Sequence, residues 1–478
     1  MSAPDTPSKP IRNVILVTTD QQHFRTLGVT DTPEARTPNI DRLAKQGVFF
    51  KSHYVTNPVC SPSRGSFMTG RYPTESGLYA NGVALPHDVP TVADAMNRAG
   101  FQTGHYGKLH LEGIITRTGP AHPYGFEKCG IGEGDQHLLH DDYNNWFRVN
   151  HPQKFPEYSC MLFEGGHMKA YKLDIPEELH LTHWVTDRGM EFMEDRDPDK
   201  PFFLNLGFFD PHHAWNPVDP YYSQFEDAEV SPPRWKEGEH DKRPKYYQGF
   251  KNGGLVKNKP EQLTAIIRAY HAMMAHIDAN IGRLVSKLEE LGIADETAIL
   301  FSSDHGEMLG NHGMLFKGPY MLEDLIHVPM IVSVPGRDLG GQAVTGLTSM
   351  VDLFATIQEL AGVDDPLPSS GRPFIDRNLQ PLPEGGRDYV LLEWEHPSDS
   401  GNNSLRCIRT EDTKYVHYNH DPESGELYDL ASDPHEFENR FYDAEFAEIR
   451  DRMRTLLKEH YGETPLDYRP DLPHPGGW

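Results

Sequence analysis

The sequence predicts an α/β fold built on a large, mostly parallel mixed sheet flanked by helices. Three observations lead there. Residues 13–19 (NVILVTT) and 297–303 (TAILFSS) are short β-branched apolar runs, suited to strands buried on both faces. Helical stretches at 37–46 and 89–99 lie between them, and strands alternating with helices are the signature of a parallel sheet. Both runs end in an acid, Asp20 and Asp304, and ligands of such sheets gather at the carboxyl ends of the strands.

The remaining elements follow in order. Residues 201–209 (PFFLNLGFF) and 328–334 (VPMIVSV) are further strands. Residues 260–291 read as one amphipathic helix, with Leu263, Ile267, Tyr270, Met274, Ile277, Ile281, Leu284 and Leu288 at helical spacing and Gly292 as its stop. Its methionines read as core filling. Residues 214–259 are rich in Pro, aromatic and charged residues with little periodicity, as in a lid, a partner contact or a mobile loop. After Gly362 the chain becomes loop-like. Strands at 389–394, 405–409 and 414–418 and a helix at 444–460 predict a small C-terminal α+β domain with an antiparallel sheet. The expected division is an α/β domain over 1–375 and a smaller domain with an extended tail over 376–478.

A chain of 478 residues is long enough for such a core. Hydrophobic residues make up 37%, ordinary for a soluble enzyme and too many for a disordered chain. Lys and Arg total 45 against 71 Asp and Glu, a net charge of −26 that argues against nucleic acid or an anionic membrane as partner. No apolar run is long enough to cross a bilayer. The start, MSAPDTPSKPIRN, lacks the basic-then-apolar pattern of a secretory signal, so a cytoplasmic location is expected. The four cysteines, Cys60, Cys129, Cys160 and Cys407, form no CxxC pair, which argues against a disulfide framework or zinc knuckle.

The most informative stretch is Cys60-Ser61-Pro62-Ser63-Arg64, followed by Thr69-Gly70-Arg71. Cys60 and Arg64 lie too close together for a tyrosine-phosphatase loop. Other short pieces are Asp20-Gln21, TPNIDRLAKQGV at 37–48, Gly107-Lys108-Leu109-His110, Pro211-His212, Ser303-Asp304-His305-Gly306, Lys317, and GELYDLASDPHEFEN at 425–439. Each is weak alone. In this order and spacing they resemble the type I sulfatase family, in the alkaline phosphatase-like superfamily, over nearly the whole chain.

The resemblance implies an alkaline phosphatase-like fold and a formylglycine (3-oxoalanine) at position 60, made from Cys60 by a formylglycine-generating maturation enzyme. The hydrated aldehyde offers one hydroxyl to attack sulfur and a second to expel sulfate, splitting one hard step into two. Asp20 and Asp304, with Gln21, His305 and position 60, would hold one divalent cation. Oxygen-dominated ligation suits Ca²⁺ first, with Mn²⁺ or Mg²⁺ as alternatives. The family often has Asp-Asp where this chain has Asp20-Gln21, and Asp-Asn where it has Asp304-His305, which strengthens Mn²⁺. Lys108 would contact the sulfate and His110 would take a proton from the free hydroxyl. His212 and Lys317 would sit on the leaving-group side, Arg64 would hold position 60 and the ligand carboxylates, and Asn81 is a further substrate-side candidate. His213 reads as structural.

The implied activity is that of a sulfuric ester hydrolase, arylsulfatase-like. A sister group, the phosphonate monoester and phosphodiester hydrolases, resembles this chain in its Asp-Gln and Asp-His pairs but tends to carry Tyr and Thr where this chain has Lys108 and His110. A non-catalytic sulfate-binding protein is the third alternative. Arg64, Lys108 and Lys317 with a cation would form a positive pocket inside an acidic protein. Such a surface repels polyanions, so a small sulfate ester is the expected substrate. The tail DYRPDLPHPGGW at 467–478 reads as an arm toward a second subunit, which would make the protein a homo-oligomer.

Overall fold

The computed structural model describes residues 9–112, 122–134, 141–156, 158, 169–382, 386–395, 404–419, 421 and 423–461. The tail at 467–478 and Cys160 lie outside the described residues.

The main sheet contains β1 (Asn13–Thr19), β2 (Val48–Tyr54), β3 (Gln102–Gly107), β4 (Lys128–Ile131), β5 (Phe202–Gly207), β6 (Thr297–Ser303), β7 (His327–Ser333), β8 (Gln342–Val344) and β9 (Thr348–Ser349). Their order is β4-β3-β5-β1-β6-β7-β2-β8, with β9 also on β2. The stretch β4-β3-β5-β1-β6 is parallel, whereas β7 runs antiparallel to both β6 and β2. Every residue of β1, β5 and β6 is buried, as the unbroken apolar runs require. Val14 and Leu16 enter the core on one face, Ile15 and Val17 that on the other.

The helix Pro260–Glu290 lays its predicted stripe on one of these cores, with Pro at its first turn and Gly292 beyond its end at φ 69°. A second sheet, β10 (Tyr389–Trp394), β11 (Leu405–Thr410), β12 (Thr413–Tyr418) and β13 (Gly425–Asp429), is an antiparallel meander. Its faces alternate as a half-covered sheet should. Leu391, Ile408, Tyr415 and Leu427 pack on Met453 and Leu457 of the helix Ala447–Tyr461, while Val390, Leu392, Cys407 and Val416 join the main core. Among the described residues no helix is long and apolar enough to cross a membrane.

Six strands, β2, β3, β4, β8, β9 and β13, escape a search for apolar runs, and two of them show why. β2 carries Lys51 and Ser52 where its register shifts between Phe50 and His53. β3 (QTGHYG) buries His105 opposite Asn205, whose Nδ2 lies 2.8 Å from His105 Nδ1, so a polar pair replaces an apolar one. An extended path through 107–110, which would set Lys108 and His110 on one side by alternation, is not what forms. Gly107 and His110 adopt φ of 99° and 54°, so the regular alternation of a strand is broken at both. The segment 214–259 contains the short helices Tyr221–Phe225 and Gly254–Asn258 and the 3₁₀ turn Lys245–Phe250. His312 contacts Glu239, and the Arg243 guanidinium donates to the Glu436 carbonyl.

Candidate active site

Register builds the centre of the site. Thr19 of β1 pairs with Ser303 of β6, so the next residues, Asp20 and Asp304, emerge side by side at the carboxyl ends of adjacent central strands. The helix Cys60–Thr69 begins at the cysteine itself, and all its residues are buried. The first N–H groups of a helix lack partners within it and favour negative charge nearby. Here Ser61 N–H donates to Asn81 Oδ1 at 2.9 Å. Cys60 Sγ lies 3.1 Å from His305 Nε2 and 3.7 Å from Asp20 Oδ1. One donor atom from each of Asp20, Cys60, Asp304 and His305 falls within 4.8 Å of the others.

Positive side chains surround this group. Arg64, one helical turn after Cys60, donates from Nε to Asp304 Oδ2 at 2.8 Å and from Nη1 to the Lys108 carbonyl at 2.7 Å. The Lys108 ammonium pairs with Asp20 Oδ2 and sits 5.1 Å over the Phe209 ring. Lys317 Nζ donates to Gln21 Oε1 and contacts His212 Nε2. Gln21 therefore presents its amide oxygen to Lys317, while its Nε2 contacts Glu307 and lies 3.3 Å from His213 Nδ1. His212 stacks on His213 with ring centroids 4.0 Å apart.

The charges set the protonation states. Burial raises the Asp20 carboxyl, but the cations Lys108, Lys317 and Arg64 outweigh it and hold it well below the usual range. Burial and Asp20 raise the Cys60 thiol, yet Lys317, Lys108 and His305 bring it below its ordinary value. Burial pushes His110 far down, and Lys108 and Arg64 add to this. Burial, His213 and Lys317 do the same to His212, so both imidazoles are neutral. Two buried carboxylates beside an imidazole and position 60 are a donor set that fits a divalent cation.

The structure thus brings Asp20, Gln21, Cys60, Arg64, Asn81, Lys108, His212, Asp304, His305 and Lys317 into one contact network, and His110 lies within the electrostatic reach of Lys108, Arg64, Asp20 and Lys317. Sequence reasoning missed two acids. Glu307 contacts the Gln21 amide and accepts the Leu309 N–H at 3.1 Å; its signal was an acid three residues after Asp304. Glu133 accepts the His110 N–H at 2.9 Å and stands in no motif. Elsewhere His180, Asp210 and His276 also approach within 4.8 Å. Thr182 closes that group, its N–H 3.2 Å from His180 Nδ1 and its hydroxyl 2.8 Å from Asp210 Oδ2.

Comparison with known proteins agrees with this geometry. The family model described as Sulfatase matches residues 12–363, and one described as N-sulphoglucosamine sulphohydrolase, C-terminal, matches 310–463. The chain is similar to an arylsulfatase of Clostridium perfringens, 29% identical over 93% of this chain and 93% of the relative. It is 26% identical to an N-acetylglucosamine-6-O-sulfatase of Bacteroides thetaiotaomicron, over 94% of this chain and 86% of the relative. Among solved structures, the phosphonate monoester hydrolase of Agrobacterium radiobacter superposes with a TM-score of 0.79 at 25% identity, covering 95% of this chain and 96% of that one. The chain belongs to the type I sulfatase family of sulfuric ester hydrolases, in the alkaline phosphatase-like superfamily.

Proposed function

We propose that the protein hydrolyses a small sulfate monoester, in the manner of an arylsulfatase. The observation that carries this reading is Lys108 and His110 in the short segment that follows β3, with Lys108 held against Asp20 beside Cys60. Position 60 would be a formylglycine, and Asp20, Asp304 and His305 with position 60 would hold one divalent cation, Ca²⁺ before Mn²⁺ or Mg²⁺; Gln21, also expected as a ligand, has its amide oxygen engaged by Lys317 and would join them only on leaving that contact. When present, the formylglycine and the cation supply an acidified hydroxyl nucleophile and neutralise sulfate oxygens.

The chain's own residues do the rest. Lys108 and Lys317 bind sulfate oxygens through Nζ. Arg64 fixes Asp304 and the Lys108 backbone, so the cationic wall is preorganised. Asn81 holds the start of the Cys60 helix. On the leaving-group side His212 is neutral and faces the Lys317 ammonium, so the proton for the departing oxygen comes from Lys317 Nζ with His212 Nε2 as its partner. His110, also neutral, accepts at a ring nitrogen the proton released at position 60 when sulfate leaves. The net charge of −26 over the whole chain favours a small ester over a polysulfated chain.

A second reading, phosphonate monoester hydrolysis, is favoured by the similarity to the Agrobacterium enzyme and by the Gln21 and His305 positions. The test is kcat/KM on a sulfate and a phosphonate ester of the same phenol, using enzyme whose formylglycine is verified by mass, beside Cys60→Ala. A sulfate preference lost in Cys60→Ala is expected. Equal turnover by the Ala variant would end the proposal, and a phosphonate preference would select the second reading.

A further inference from the structure

The segment that carries Lys108 and His110 is not self-supporting. His110 is a non-glycine residue at φ 54°, in the left-handed region that side chains disfavour. Neither of its ring nitrogens has a hydrogen-bond partner among the described residues, although the side chain is buried. Side-chain hydrogen bonds therefore do not aim this imidazole. Its backbone and its packing do.

The backbone is gripped by one carboxylate. Glu133, 7% exposed, accepts the His110 N–H at 2.9 Å through Oε1. Oε2 has no hydrogen-bond partner among the described residues. Glu133 is itself fixed. The neighbouring Gly132 N–H donates to the Gly107 carbonyl at 3.0 Å, tying the ends of β3 and β4. Glu133 N–H donates to Asp141 Oδ2 at 3.0 Å, and Asp141 Oδ1 caps the helix Asp142–Asn150 by accepting the Asn144 N–H at 2.7 Å. A chain of hydrogen bonds thus runs from a helix N-terminus to the backbone of His110.

We propose that Glu133 is a positioning residue: its carboxylate holds the His110 backbone in its left-handed conformation and so places the His110 imidazole for proton transfer. The role rests on the reading of His110 given above. It acts through reach, since Oε1 is the acceptor that the His110 N–H needs, and not through charge.

Two conservative variants separate reach from charge. Glu133→Gln keeps an oxygen at Oε1 and puts its amide nitrogen where Oε2 has no partner. Glu133→Asp keeps the charge and withdraws the acceptor by one methylene. With an aryl sulfate as probe, full-length enzyme of verified formylglycine content and thermal melts to confirm folding, Gln stays within about threefold of wild-type kcat. Asp loses roughly 100-fold in kcat with KM nearly unchanged, the order expected for a misplaced catalytic group. Asp at wild-type kcat, or Gln as impaired as Asp, overturns the proposal while wild-type sulfate turnover stands. If wild type does not cleave the sulfate ester, the functional reading fails, and the same Gln–Asp comparison is read on the phosphonate ester of the same phenol.

Discussion

Arg64 Nε meets Asp304 Oδ2 at 2.8 Å in a space where the two side chains are 1% and 0% exposed. Asp20 Oδ2 lies 4.0 Å from the same guanidinium. One planar cation therefore spans the acids of β1 and β6 and, through its bond to the Lys108 carbonyl, the segment after β3. A lysine has no fork with which to serve these partners together. Arg64→Lys keeps the charge and loses the fork, and is expected to lower unfolding stability by about 1–3 kcal/mol, the scale of buried acceptors left without a hydrogen bond, and to cut kcat/KM on an aryl sulfate roughly tenfold or more. Urea unfolding and steady-state kinetics check both. A variant with wild-type stability and rate would show that the guanidinium is not the clasp.

Lys317 and His212 face each other across the proposed leaving-group side. If they deliver its proton, their loss matters most for alcohols that leave badly as anions. Lys317→Met is expected to slow an alkyl sulfate by roughly 100-fold or more and a nitrophenyl sulfate far less. Equal losses on the two esters would place Lys317 in sulfate binding alone.

Sequence made the centre of this arrangement legible because strand-end acids obey a simple rule. Asp20 and Asp304 follow unbroken apolar runs, and parallel pairing in register makes them neighbours. The Cys60–Arg64 pair was legible for a local reason, since both lie on one helix. β3 was not, because His105 and Asn205 satisfy each other and hide a buried strand behind polar letters. Glu133 was not, because its grip on His110 depends on a left-handed backbone, and no periodicity announces one. The acids of the 214–259 region found their partners far along the chain, as Glu239 does with His312, and such pairs have no spacing to read.

Asp20 and Asp304 are buried beside Cys60 and His305, and a divalent cation bound among these converging donors would stabilise the folded state that brings them together. Dialysis against a chelator is expected to abolish sulfate ester turnover and to lower the melting temperature by several degrees. Adding back Ca²⁺, Mn²⁺ or Mg²⁺ singly then ranks the ions. Asp304→Asn is expected to show neither the loss nor the rescue. Full activity after chelation, with metal analysis showing an empty protein, would remove the cation from the mechanism.

The contact between the two sheets carries its own pH dependence. Glu323 accepts the Tyr54 hydroxyl at 3.0 Å and lies 3.4 Å from Lys414 Nζ on β12 and 3.6 Å from Arg409 Nε on β11. Burial raises its carboxyl, but Lys414, Arg409 and His327 outweigh burial and bring it from 4.5 to about 2. A carboxyl depressed by folding adds stability that is present above pH 4.5 and lost as pH falls through 2. With the side chain 19% exposed, the contribution is on the order of 2–3 kcal/mol. Glu436, which shares Lys414, is pushed up by burial to about 7 and acts in the opposite sense between 4.5 and 7. Below pH 4.5 both states hold the Glu436 proton, so this window isolates Glu323. Unfolding free energies measured from pH 5 down to 3 are expected to fall less steeply for Glu323→Gln than for wild type. Parallel curves would mean that the acid sensitivity of the fold resides elsewhere than in this contact.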